Sequence, residues 1–105
     1  MDLDRLRAQF ADYHVVLEPD ENTPEWWAGA PSVCRDGSGT FWMACRMREG
    51  HSPRGMRGYE IRLLRSDDGI EFEPVHSIHR EDVPIPGFER PALLHHRETG
   101  LFSLY

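Results

Sequence analysis

Residues 31–48 read PSVCRDGSGTFWMACRMR and contain two runs of strand-forming residues around the turn-forming tetrapeptide DGSG at 36–39. Aromatic and other strand-favouring side chains dominate the second run, and glycines in a short turn accept a positive φ angle. The pattern therefore predicts an antiparallel hairpin. A turn centred at 37–38 pairs Cys34 with about Trp42, so Cys34 and Cys45 are not opposed, and free thiols are expected.

Two more strands are predicted after this hairpin. Residues 59–65 (YEIRLLR) alternate over their first half, and the tight turn SDDG at 66–69 leads into residues 70–78 (IEFEPVHSI). Pro74 cannot donate to a strand ladder, so the last strand should lie at a sheet edge. The four runs predict a four-stranded antiparallel meander.

The first 25 residues are predicted to form a helix and a lead-in. Residues 2–12 read as a short amphipathic helix with Asp2 as N-cap, and Leu3, Leu6 and Phe10 recur at helical spacing. This spacing predicts an apolar stripe, so we expect the helix to pack against the rest of the chain. No other segment has a convincing helical pattern.

The motif at the start of the first hairpin returns later in the chain. APSV at 30–33 and GTFWM at 39–43 are echoed by RPAL at 90–93 and GLFSLY at 100–105, with the two prolines 60 residues apart. A four-stranded unit that starts again is typical of a β-propeller blade. We therefore predict an all-β fold over 26–105, with blade one at about 30–79 and the start of blade two at about 89–105. Because one blade cannot close a ring, we expect either further blades in a longer chain or assembly of several copies.

Composition and charge exclude several classes of protein. The 105 residues suffice for one small domain, and 12 Lys+Arg against 18 Asp+Glu give a net charge of -6, which disfavours nucleic-acid binding. The sequence has neither a membrane-length apolar run nor a cationic leader, so a cytoplasmic protein without a membrane partner is expected. The cysteine and histidine spacings do not fit a metal framework, and neither a metal nor a cofactor is predicted.

One end of the predicted meander is the candidate site. The turns 36–39 and 66–69 lie at one end, whereas the longer connections 49–58 and 80–89 lie at the other, and long polar loops are where sites are usually built. That second end collects aromatic and charged residues: Glu25, Trp26, Trp27, Arg48, His51, Arg54, Arg57, Glu60, Glu89 and Arg90. The arginines at 46, 48, 54 and 57 could bind an anionic sugar or a phosphate, although a solvated loop is the favoured interpretation.

The segments WAGAPSV at 27–33, SDDGIEF at 66–72 and FERPALL at 88–94 together resemble the five-bladed furanosidase superfamily of glycoside hydrolases, which includes arabinanases, β-xylosidases, invertases and levansucrases. The resemblance implies a carbohydrate substrate and a central funnel with acidic residues at the inner strand ends. Glycosidic cleavage needs a carboxyl group on each side of the bond. The family usually carries Asp directly before the first-blade proline, where this chain has Ala30. Glu89, one residue early in the second blade, is then the candidate catalytic residue, and the resemblance implies that the general acid comes from a later blade.

The predicted substrate contacts are Trp27, Arg90, Arg46, Arg57 and Glu60. Trp27 could stack on a sugar ring or could pack in the core, since aromatic side chains dominate cores. Three functions stay open: a glycoside hydrolase-like protein, a noncatalytic carbohydrate-binding or assembly module that oligomerises, and a sialidase-like propeller whose arginines bind an acidic sugar.

Overall fold

The computed structural model of the chain describes residues 1–50 and 58–105. The described part is mostly β, with one short helix at the N-terminus and a single turn of 3-10 helix, Arg80–Asp82, after the fourth strand. The regular elements, in chain order, are α1 (Leu3–Phe10), β1 (Trp27–Arg35), β2 (Phe41–Arg48), β3 (Gly58–Ser66), β4 (Glu73–His79), β5 (Leu93–His95) and β6 (Phe102–Leu104).

The four-stranded antiparallel meander predicted from the sequence is confirmed, with spatial order β1-β2-β3-β4. Cys34 lies opposite Trp42, as the turn position predicted. β4 is an edge strand, and Pro74 lies opposite Leu64 where the register shifts, so its missing N–H interrupts no regular ladder.

The first strand is longer than the sequence predicted. It begins at Trp27 and continues through an irregularity between Gly29 and Ser32. Ala30 has a φ of 51° there, a left-handed conformation that costs a non-glycine residue roughly 1 kcal/mol. Pro31, which has no N–H to donate, lies inside the same irregularity. Strand β1 therefore continues through a residue that cannot donate a hydrogen bond to its neighbour.

The helix prediction is confirmed in position and wrong in its role. The Asp2 carboxylate accepts hydrogen bonds from the N–H groups of Asp4 and Arg5, both at 3.1 Å, which is N-capping. However, α1, which the structure describes in full, buries none of its side chains, and Leu3 and Phe10 are exposed. The amphipathic spacing gave the secondary structure but could not tell whether a partner surface lies within reach.

The sheet has two faces, which we name by one residue each. Side chains alternate along a strand, so Met43, Cys45 and Met47 of β2 share the Met43 face with Leu64 of β3. Met43, Cys45 and Leu64 form the buried core there, and Leu17 of the N-terminal segment packs on it. The Met43 face is therefore covered by the extended lead-in and not by α1.

The opposite face, the Trp42 face, is covered by the β5–β6 hairpin. The rings of Trp42 and Phe102 meet edge to face with centroids 5.2 Å apart. The N–H of Leu93 donates to the hydroxyl of Ser32 at 2.9 Å, which ties β5 to β1. The backbone of Phe88 also donates to the Gly58 carbonyl at 2.8 Å.

The β5–β6 hairpin repeats the turn of the β1–β2 hairpin. The Gly39 N–H donates to the Asp36 carbonyl at 3.2 Å, and the Gly100 N–H donates to the His96 carbonyl at 2.8 Å. Both glycines have positive φ, 88° and 73°. The echo seen in the sequence therefore has a counterpart in backbone geometry, with one extra residue in the second turn.

The turn residues of the two hairpins also act alike through their side chains. Asp36 accepts a 2.9 Å hydrogen bond from Nε1 of Trp42 across its hairpin. His96, 60 positions later, is hydrogen bonded through Nε2 to the Ser103 hydroxyl at 2.7 Å. In both hairpins the residue before the turn forms a side-chain hydrogen bond with a residue of the returning strand.

Candidate functional site

The register brings the predicted residues to one end of the sheet. Trp27 at the start of β1 lies opposite Arg48 at the end of β2, which in turn lies opposite Gly58 at the start of β3. Glu60 lies opposite His79 at the end of β4. At the other end, the two tight turns are held by their own Asp36 and Asp68 carboxylates and are structural.

Trp27 is half-buried and stacked on an arginine. The Arg48 guanidinium carbon lies 4.3 Å from the centroid of the Trp27 ring, a cation–π arrangement. One face of the indole is thus occupied by a protein group. A flat ligand would have to use the opposite face of the ring or displace the guanidinium.

Arg46 and Glu89 form an ion pair beside Trp27 on the Trp42 face. Nη1 of Arg46 donates to Oε2 of Glu89 at 3.2 Å, and the two side chains are 14% and 96% exposed, respectively. The pair joins strand β2 to the segment before β5. The arginine is fixed by the sheet, whereas the glutamate is almost entirely in solvent.

A cavity of about 220 Å³ lies next to this ion pair, between the sheet and the second hairpin. Two predicted site residues, Glu89 and Arg90, line it. Its remaining walls are aromatic, aliphatic and proline side chains: Ile61, Phe88, Pro91, Leu104 and Tyr105. A concave, mostly apolar surface with a few polar groups is the usual form of a small-molecule site.

Glu60 does not join this cavity. It pairs across the ladder with Met47 and therefore lies on the Met43 face, opposite to Arg46. Its side chain is 3% exposed and accepts two hydrogen bonds of 2.7 Å from Arg62, at Nε and Nη2. The structure thus places Glu60 and Glu89 on opposite faces of the sheet, whereas the loop arrangement alone had grouped them at one site.

The Glu60–Arg62 pair is extended by the N-terminal segment. Asp20 accepts from Nη1 and Nη2 of Arg62 at 3.1 and 3.0 Å, and its other donor is the Tyr59 hydroxyl. Hydrogen bonds from Arg62 hold the pKa of Asp20 below its usual value. Burial acts to raise the pKa of Glu60, but hydrogen bonds from Arg62 and Ser77 together with nearby positive charge outweigh it, and the net pKa is lowered. Both carboxylates are therefore ionised at neutral pH, which suits a structural network and not a proton donor.

Sequence reasoning missed Asp20, Tyr59 and Arg62 as a unit. The spacing of Glu60 and Arg62 places them on one face of a strand, which was a readable signal. Asp20 carried no such signal, because it lies in an irregular segment about forty residues earlier. Arg57, one of the predicted substrate contacts, lies outside the described residues, as do His51 and Arg54.

The described residues offer neither a cluster of metal ligands nor an activated thiol at Cys34 or Cys45. Within residues 1–50 and 58–105, no group of three or more His, Cys, Asp or Glu side chains is arranged to hold a metal ion. Burial raises the pKa of the Cys45 thiol, which donates to the Gly29 carbonyl at 3.2 Å, and burial also raises that of Cys34. Both thiols stay protonated at neutral pH and are weak nucleophiles.

Comparison of the chain with protein-family models, with curated proteins and with solved structures gives no match. Among the described helices, none has the length and apolar character needed to cross a membrane.

Proposed function

We propose that the four-stranded sheet is one blade of a β-propeller and that the β5–β6 hairpin begins the next blade. The related turns support this. In both hairpins a glycine of positive φ closes the turn, and the residue before the turn bonds through its side chain to the returning strand. The packing supports it as well. Neighbouring propeller blades stack face to face around a central axis, and here the second hairpin lies on the Trp42 face with β5 beside β1.

The function that the geometry supports best is carbohydrate binding at the cavity beside Arg46 and Glu89, by a protein that resembles the furanosidase-type propellers. The observation that carries this proposal is the cavity lined by Glu89 and Arg90. Trp27 lies at the same end and on the same face of the sheet as Arg46, the ion-pair partner of Glu89. Sugars have an apolar C–H face and a rim of hydroxyl groups. A surface that combines an indole ring with arginine donors and a carboxylate acceptor is complementary to both.

Binding without hydrolysis is favoured by the distribution of carboxyl groups. Cleavage of a glycosidic bond requires two carboxyl groups on opposite sides of the bond. Among the described residues that line the cavity, Glu89 is the one carboxylate, and it is paired with Arg46. Glu60 lies on the other face of the sheet and is bound by Arg62. Ala30 stands where the resembling enzymes carry an acid.

The test is a binding titration of the purified protein with arabino-, xylo- and fructo-oligosaccharides, followed by calorimetry or NMR. We expect at least one series to bind, and Trp27→Ala to weaken that binding about tenfold or more through loss of the stacking surface. Tyr13→Ala is the matched control, since this aromatic ring is 82% exposed in the N-terminal segment. Absence of binding in all three series, and of acidic sugars as well, would refute the proposal.

A second measurement separates binding from catalysis. Aryl glycosides of arabinose, xylose and fructose should be hydrolysed by the protein no faster than in buffer alone. Turnover that disappears in Glu89→Gln would instead restore the glycoside hydrolase interpretation, with Glu89 as a catalytic acid or nucleophile.

A further inference from the structure

The guanidinium of Arg46 is hydrogen bonded to Glu89, which forms part of the wall of the candidate cavity. Arg46 lies in β2 between two neighbouring strands, opposite Gly29 of β1 and Ile61 of β3. Ile61 lines the cavity, and so does Glu89, the ion-pair partner of Arg46. With 14% of its side chain exposed, Arg46 has little freedom to move away from this wall.

The hydrogen-bonding capacity of Arg46 is only partly used. A guanidinium carries five N–H donors in a planar fork that matches a carboxylate. Nη1 donates to Glu89 at 3.2 Å, whereas Nε is buried and has no hydrogen-bond acceptor in the part of the chain that the structure describes. Among the described residues, Glu89 is thus the one hydrogen-bond acceptor for this guanidinium, and a ligand carboxylate in the place of Glu89 would take over that hydrogen bond.

Glu89 is a weakly held partner for this arginine. Its side chain is 96% exposed, and the contact joins Oε2 to a single guanidinium nitrogen. The carboxylate of Glu89 loses little free energy when it leaves this contact, because it is almost as well solvated by water. The Glu89 carboxylate can therefore swing into solvent and give up its place to another carboxylate.

The charges around the cavity favour an anion once Glu89 has moved. Arg90 lines the same cavity as Glu89, and Arg46 is bonded to Glu89, so two positive groups lie near one negative group that a ligand can displace. A neutral sugar would leave the positive charge of the partly buried Arg46 without a counter-ion, whereas an acidic sugar would bring its own.

We infer that the ligand of this site is a sugar that carries a carboxylate, a uronic acid unit, and that its carboxylate replaces that of Glu89 on Arg46. In the unliganded protein, Glu89 occupies the position of the ligand carboxylate. The inference rests on the proposed function, because it names the class of sugar bound at the same cavity.

The experiment compares glucuronic acid with glucose, which lacks the carboxylate, by calorimetric titration of the full chain at constant ionic strength. We expect glucuronic acid to bind at least about tenfold more tightly. Glu89→Gln should tighten glucuronic acid binding about threefold or more, since it removes the competing carboxylate, and should change glucose binding by less than about twofold. Arg46→Gln should abolish the preference for the acid. Arg65→Gln is the matched control, because Arg65 pairs with Asp67 and Glu73 at the other end of the sheet.

The outcomes separate this inference from the proposal beneath it. Equal affinity for the two sugars, or weaker glucuronic acid binding in Glu89→Gln, would overturn the inference, and Trp27-dependent binding of neutral oligosaccharides would leave the proposed function standing. Failure of neutral and acidic sugars alike to bind would overturn both. Because Glu89 is exposed, its variant should fold even if Arg46→Gln does not, so the Glu89→Gln result decides the matter alone.

Discussion

The glutamate carboxylates of this protein have different roles, because their burial and their ion-pair partners differ. Glu60 is buried against Arg62 on the Met43 face, and the net effect of its surroundings is a lowered pKa. Glu89 is paired with Arg46 but stands in solvent. Glu73 pairs with Arg65 at an exposed position at the far end of the sheet. The same residue type therefore serves as a structural ion, a displaceable partner and a surface charge.

Removal of the Glu60 charge should strongly destabilise the folded protein. Glu60→Gln leaves the largely buried Arg62 with Asp20 as its remaining ionic partner among the described residues, and loss of one member of a buried pair destabilises strongly. We expect the free energy of unfolding to fall by about 2 to 3 kcal/mol at pH 7 in urea denaturation, less than for an isolated buried pair because Asp20 remains. Glu73→Gln is the control and should cost less than about 0.5 kcal/mol, since its side chain is 66% exposed.

The same variant should also alter the pH dependence of stability. The pKa of Glu60 in the folded state is below its ordinary value of 4.5. Its contribution is therefore fully present above that value and disappears as the pH falls through the lower, folded-state pKa. The difference in stability between wild type and Glu60→Gln should shrink in acid. A difference that stays constant from pH 7 to pH 3 would contradict this assignment.

Strand β3 is joined to the segment before β5 by a close backbone approach. The Phe88 N–H donates to the Gly58 carbonyl, and a Cβ at Gly58 would stand 2.1 Å from the Phe88 carbonyl oxygen. Such a distance is far inside van der Waals contact. The absence of a side chain at Gly58 is thus what lets the chain return across the sheet and place Glu89 and Arg90 beside the cavity.

Gly58→Ala should disturb both stability and the site. The added methyl group meets backbone and not a flexible side chain, so the two segments must separate, at a cost of about 2 kcal/mol or more. Gly37→Ala is the control, since a Cβ there meets nothing within 4 Å, and it should change stability by less than about 0.5 kcal/mol. Thermal unfolding measures both. Equal melting temperatures for the two variants would show that the close approach at Gly58 does not exist in solution.

The molecule as a whole is a sheet covered on both faces by segments distant in the sequence. The N-terminal lead-in places Leu17 on the Met43 face and Asp20 on Arg62, while the second hairpin covers the Trp42 face. An apolar cavity of about 220 Å³ remains between sheet and hairpin, bounded in part by Trp42 and Phe102. Packing of the hairpin on the sheet is therefore incomplete, and the contact between those two rings anchors it.

Phe102→Ala should weaken the packing of the β5–β6 hairpin on the sheet. Because we expect hairpin and sheet to unfold in one transition, the substitution should lower the stability of the whole protein. The ring is 42% exposed and packs on Trp42 and His95, so its removal should cost about 2 kcal/mol in a single cooperative transition. Phe10→Ala, at a ring that is 77% exposed on α1, should cost less than about 0.5 kcal/mol. Hydrogen exchange provides the decisive observation. Loss of protection confined to residues 92–105, with the sheet unaffected, would show that the hairpin folds as a separate unit.

Much of the architecture was predictable because it depends on neighbours in the sequence. Turn residues at 36–39 and 66–69, alternation in β3 and the proline in β4 were enough for a correct meander, and the Asp2 cap located α1. Pairing of Cys34 with Trp42 followed from the turn position alone. The candidate site was predicted in part. The register brings Trp27 and Arg46 to one end of the sheet, as the connection lengths indicated, and the ion pair with Arg46 places Glu89 there.

What the sequence could not reveal depends on contacts between residues far apart along the chain. The role of α1, the covering of the Met43 face by Leu17 and the ties of Asp20 to Arg62 and Tyr59 follow from where an irregular segment crosses the sheet. Local patterns fixed the strands, their order and the turns, because hydrogen bonding between sequential strands needs only short connections. The tertiary structure alone decided that Glu60 and Glu89 lie on opposite faces and bind different arginines, because side-chain environment is set by packing and not by proximity in a loop.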